Sequence, residues 1–124
     1  MKIVYSSEKT EKACTDKKAA KKVFGGNNQL AVSLFACINA IDQAVTLIDI
    51  IRTPIFHFHS LKNKRGNDLK GYYAIDLKGR KEPWRLILQP LDENEEPYPE
   101  TETIDRIAGT VRIVEITEVS KHYE

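Results

Sequence analysis

The chain has 124 residues, 41% apolar and 30% charged, with two cysteines and a formal net charge of +1. That length supports one hydrophobic core and excludes two, and no stretch approaches the roughly 18 apolar residues of a membrane-spanning helix. The small net charge hides a segregation. Residues 1–24 carry seven Lys against three acids, residues 56–85 carry eight Lys or Arg against three acids, and residues 91–106 carry seven acids against one Arg. Basic regions are the usual footprint of a polyanionic partner, although a charge run is more often a solvated face. Cys14 and Cys37 fall in helix-like segments without a CxxC spacing, so they read as small buried apolar residues of a reducing compartment. The opening Met1-Lys2-Ile3-Val4-Tyr5-Ser6 turns polar too soon for a signal peptide, and a cytoplasmic protein is expected.

In chain order, Lys2–Tyr5 is a short β-branched and aromatic run that reads as a strand. The Lys- and Ala-rich stretch to Phe24 predicts a helix from about Asp16, its N-cap, with a separate turn before it. Gly25-Gly26 should end that helix. Leu30, Leu34, Ile38, Ile41, Val45 and Ile48 then recur at helical spacing, which predicts one long amphipathic helix ending near Arg52, before Pro54. These two helices are expected to form a hairpin. The period then changes to two. Phe56-His57-Phe58-His59 alternates strictly, which sets both Phe on one side and both His on the other. Residues 71–77 and 83–89 are further strand candidates around a turn at Lys78-Gly79-Arg80-Lys81, and 110–119 makes the last. The segment 91–105, flanked by Pro90 and holding Pro97 and Pro99, cannot be a central strand and reads as a long acidic excursion. The order predicts one α+β domain with helices packed on a mainly antiparallel sheet of four to five strands.

Several residues suit chemistry on a phosphodiester. His59 precedes a flexible basic turn, Lys62-Asn63-Lys64-Arg65. Arg85 is a charge inside the apolar run Trp84-Arg85-Leu86-Ile87-Leu88, so it needs either an ion-pair partner, such as Asp76 or Glu115 across the sheet, or a phosphate to clamp. The terminal Lys121-His122-Tyr123 brings together a cation, an imidazole and a phenol; alternatively it is a frayed polar tail. His57, His59 and His122 would suit a zinc ion, but no carboxylate or Cys is spaced to complete the set, so no metal is expected. GxGxxG, P-loop, GxSxG and HExxH motifs do not occur.

Taken in order, these segments resemble the HigB-like toxins of the RelE/ParE superfamily. The resemblance runs through Lys12-Ala13-Cys14-Thr15-Asp16, the helix hairpin, Phe58-His59-Ser60-Leu61-Lys62, Gly71-Tyr72-Tyr73-Ala74-Ile75, Trp84-Arg85-Leu86-Ile87-Leu88 and Lys121-His122-Tyr123. It implies a metal-independent, cofactor-free endoribonuclease that cuts mRNA on the translating ribosome and is neutralised by a small DNA-binding, HigA-like antitoxin. The expected roles are acid–base work by His59 and His122, phosphate binding by Arg85, Lys62, Lys64, Arg65 and Lys121, and base stacking or orientation by Tyr123. Two other readings compete: a RelE/ParE-type gyrase poison, and a degenerate member that keeps only antitoxin binding. The acidic excursion is read as a solvated loop, with a self-shield over the basic groove or an antitoxin contact as the alternatives.

Overall fold

The computed structural model describes residues 1–61, 69–79 and 82–121. It is an α+β fold with a twisted, mixed five-stranded sheet. Strands β1 (Lys2–Tyr5), β2 (His59–Ser60), β3 (Tyr73–Asp76), β4 (Arg85–Leu91) and β5 (Ile113–Ser120) lie in the order β1-β5-β4-β3-β2. Among the described residues only β1 pairs in parallel, with β5; the other neighbours are antiparallel. The expected α+β class, with helices on a mainly antiparallel sheet, is what forms.

The N-terminal helical stretch is two helices. Helix α1 (Glu8–Thr15) is capped by Ser7, and α2 (Lys17–Val23) by Asp16, whose carboxylate accepts from the Ala19 amide. Gly25 and Gly26 both take positive φ and close α2, with the Gly26 amide reaching the Lys21 carbonyl at 2.7 Å. Asn27 then caps α3 (Asn28–Gln43) through the Leu30 amide.

The long helix expected to run to Arg52 breaks at Ala44, which is extended. Three carbonyls at the end of α3, on Ile41, Asp42 and Ala44, accept from the Met1 ammonium, a cation at the negative end of a helix. Asp49 in turn accepts from the Val45 and Thr46 amides, starting α4 (Leu47–Ile51). The free amides of Leu47 and Ile48 donate to the Val111 and Ala108 carbonyls. The break resets the apolar stripe: Leu30, Leu34 and Ile41 are buried as predicted, Val45 is exposed, and Leu47 and Ile50 are buried instead.

The alternating run at Phe56 is also corrected. Pro54–Phe56 is a 3₁₀ turn, favoured by proline at its first position, and His57 turns into the left-handed region (φ 45°), so pairing begins only at His59. Pro90, expected to end the strand, lies inside β4 opposite Val114; β3 pairs no further than Leu88, so the missing proline N–H costs no ladder bond on that side.

The acidic excursion is folded. Asp92 accepts from the Asn94 and Glu96 amides, Leu91 bridges to Pro97, and a short helix α5 (Ile104–Ile107) buries Ile107. Glu93 to Pro97 stay exposed, as a solvated turn requires.

The two sheet faces differ. Leu86, Leu88, Ile75, Val114 and Ile116 pack with the helices through Leu34, Cys37 and Ile41 into the main core. The opposite face carries a small cluster, Leu61, Ala74 and Ile87. Among the described residues no helix is long and apolar enough to cross a membrane.

Candidate functional site

The face opposite the helices carries two of the candidate residues, His59 and Arg85. Strand register sets His59 opposite Ala74 and Asp76 opposite Arg85, and directly opposed residues share a face. All of them stand with Ala74 and Ile87, away from the helical core. Asp76 is fully buried and central to the group. Its Oδ1 lies 2.7 Å from Arg85 Nε, and its Oδ2 accepts from His57 Nδ1 at 2.8 Å. The Arg85 contact is one of opposite charges at close range, without the alignment of a hydrogen bond. Arg85 also donates through Nη1 to the carbonyls of Glu82 and of Trp84. The expected ion-pair partner across the sheet, Asp76, is present. The Arg85 side chain is nearly buried (10% exposed), and breaking such a pair from one side would strand a charge in a poorly solvated place.

His57 is held by the same carboxylate but remains 38% exposed, which makes its ring reachable. His59 donates from Nδ1 to the His57 carbonyl at 2.7 Å, and the two rings lie with centroids 4.7 Å apart and a 31° tilt. A carboxylate and a carbonyl only accept, so both imidazoles carry a proton on Nδ1, and in the neutral ring Nε2 is the atom with the lone pair. The left-handed turn at His57 makes this possible. It follows the 3₁₀ turn and swings the ring towards Asp76, while Phe58 stacks on Tyr73 on the core side (5.0 Å, 13°). Burial raises the Tyr73 phenol, helped by the Asp105 charge.

Lys121 is placed elsewhere. Its ammonium lies 5.8 Å from the Trp84 ring centre, and Trp84 meets Phe24 edge-on at 4.9 Å. Lys121 and Trp84 line a groove of about 760 Å³ between α1, α2 and the end of β5, which Lys9, Lys12 and Lys22 also line and Glu118 opposes. The structure thus brings His59 and Arg85 together through His57 and Asp76, and assigns Lys121 to a separate basic groove. Trp84 and Arg85 are consecutive, and the groove and the histidine face meet at that rim. Lys62, Lys64, Arg65, His122 and Tyr123 lie outside the described residues.

Sequence reasoning left His57 and Asp76 without a catalytic role, and expected no carboxylate beside the histidines. Asp76 overturns that second expectation. A signal was present: Asp76 already stood as a candidate partner for Arg85, and His57 is two residues from His59. What was missing was the register that superimposes the two pairs.

The acidic excursion leaves from the far end of β4. Arg85 and Leu91 are six residues apart on that strand, about 20 Å at 3.3–3.4 Å per residue. Its contacts include Lys2, through Glu95 at 2.9 Å, and Leu91, while Tyr98 and Ile104 pack against the main core. None of these is on the histidine face.

No family model matches the chain, and no curated protein matches it at a significant level.

Proposed function

We propose that the chain is a HigB-like toxin of the RelE/ParE type, a cytoplasmic endoribonuclease that cuts mRNA on the ribosome and is held inactive by a HigA-like antitoxin. The supporting observation is the pair of partly exposed imidazoles whose Nδ1 atoms are engaged, His57 by the Asp76 carboxylate that Arg85 faces and His59 by the His57 carbonyl. RNA supplies its own nucleophile. An imidazole Nε2 takes the 2′-OH proton, the oxygen bonds to the adjacent phosphorus, and the P–O5′ bond breaks as a second group protonates the leaving oxygen. The products are a 2′,3′-cyclic phosphate and a 5′-hydroxyl. His59 and His122 fill these two roles, in either order. Asp76 orients His57, which sits against His59, and Arg85 lies against Asp76 at 2.7 Å; both are positioning residues. Lys62, Lys64, Arg65 and Lys121 bind phosphate, and Tyr123 stacks on a base. Positioned proton transfer contributes on the order of 10²–10⁴-fold, and donors aimed at the charged phosphorane add to it.

The test is primer-extension mapping of 5′ ends on ribosomes programmed with a defined mRNA. Cuts at the ribosomal A site are expected, with His59→Ala and His122→Ala each reducing them on the order of 10²-fold or more while far-ultraviolet dichroism is unchanged. A folded protein that makes no cuts sinks the nuclease reading; a gyrase supercoiling assay would then separate the gyrase poison from a member that only binds antitoxin.

A further inference from the structure

We propose that His57 and His59 also form a binding site for a divalent transition-metal ion of the Zn²⁺ or Ni²⁺ type, and that the bound ion shuts off proton transfer. A histidine that ligates a metal almost always donates its other ring N–H to a carboxylate or a backbone carbonyl, which fixes the tautomer and strengthens the ligating nitrogen. Both histidines already have such a partner: Asp76 Oδ2 for His57, and the His57 carbonyl for His59. One donor atom from each of His57, His59 and Asp76 can be chosen so that all lie within 4.8 Å of one another. Ligands of a tetrahedral zinc ion sit about 3.4 Å apart for bonds of about 2.1 Å, and the two rings, with centroids 4.7 Å apart, would have to turn their Nε2 atoms towards each other to reach that spacing. Imidazole donors select zinc, nickel and copper over magnesium and calcium, which prefer oxygen.

The charges set the affinity. The Arg85 guanidinium opposes a cation, and the Asp76 carboxylate between it and His57 offsets that charge. Two imidazoles with water filling the remaining positions make a reversible site rather than a structural one. The buried cysteines do not compete, because burial pushes the thiols of Cys14 and Cys37 up to about 12 and a thiol must lose its proton to ligate. An ion held by the two Nε2 atoms occupies the His59 nitrogen that the proposed cleavage needs. The blocking effect rests on the nuclease reading; the binding does not.

The test is calorimetric titration of the chelator-treated full chain with Zn²⁺, with Ni²⁺, and with Mg²⁺ as control. One Zn²⁺ or Ni²⁺ per chain is expected, with no heat from Mg²⁺ and at least tenfold weaker binding in both His57→Ala and His59→Ala. His59→Gln, which keeps a polar side chain, should weaken it similarly if either alanine variant unfolds. Co²⁺ absorption should show nitrogen and oxygen ligands without sulfur. Unchanged affinity in the folded variants, or no binding by the folded parent, overturns the site. In the cleavage assay, Zn²⁺ should stop cutting and a chelator should restore it. Cutting that continues with the ion bound overturns the blocking role alone. Binding by a protein that never cuts leaves the site intact and removes the nuclease reading.

Discussion

The two faces of the sheet are held together by opposite means. On the helical side Leu34, Ile41, Ile75, Leu86, Leu88 and Ile116 meet as apolar shapes, each at most 1% exposed, and stability scales with the area they remove from water. On the other side Asp76 and Arg85 are buried as charges, and their attraction mainly offsets the cost of taking them out of water. The first arrangement stabilises the fold whatever it does. The second is poor value for stability alone, which is why it marks the face where chemistry is expected.

The sharpest way to break that contrast is Asp76→Ala, which removes the buried carboxylate facing Arg85. A loss of about 3–5 kcal/mol in urea unfolding is expected. Replacing both partners, as Asp76→Leu with Arg85→Met, should recover most of that stability while leaving His57 unanchored and cleavage impaired. If the double variant cuts RNA like the parent, the positioning role is wrong.

On the apolar side, Leu34→Ala should cost about 2–5 kcal/mol, yet leave cleavage per folded molecule unchanged, since the residue touches only core. A matching fall in activity would show that the faces are coupled.

Alkali should also act on the helical side. Burial raises the Cys14 and Cys37 thiols from 9.0 to about 12, and the Tyr5 phenol from 10.0 to about 12. Between about pH 9 and 12 the folded chain therefore binds more protons than the unfolded one, and stability must fall as pH rises through that window, being undiminished below it. Melting temperatures measured from pH 8 to 11 should decline above 9, and Cys37→Ala should flatten the decline.

The smallest effect is local. Asp49→Ala removes the acceptor for the Val45 and Thr46 amides and should cost about 1 kcal/mol by thermal melting.

What the sequence made legible was whatever is decided by near neighbours. Asp16 and Gly25-Gly26 mark helix ends through their own backbones and side chains, and β1 shows in four residues. The Arg85–Asp76 pair was foreseeable because a guanidinium in an apolar strand must find a carboxylate. The break at Ala44 was not, because it depends on the Met1 ammonium and the α5 turn, both distant in sequence. His57 escaped for a similar reason. Its alternating neighbours suggest a strand, whereas Pro54 starts a turn that leaves it left-handed, a conformation that His adopts more readily than most side chains.

The pairing of β1 with β5 has a consequence for how the chain is made. The strand latest in the sequence fits between the earliest one and β4, with Lys2 in register with Ile113. At roughly 5–20 residues per second, the ribosome finishes β1 on the order of ten seconds before its partner exists. Until then β1 has no neighbour and β4 lacks one of its two, so the strand that carries Arg85 is completed only when synthesis has almost reached residue 120. Such long-range closure is slow, and the face that carries Asp76 and Arg85 is not fully paired until the final strand is made.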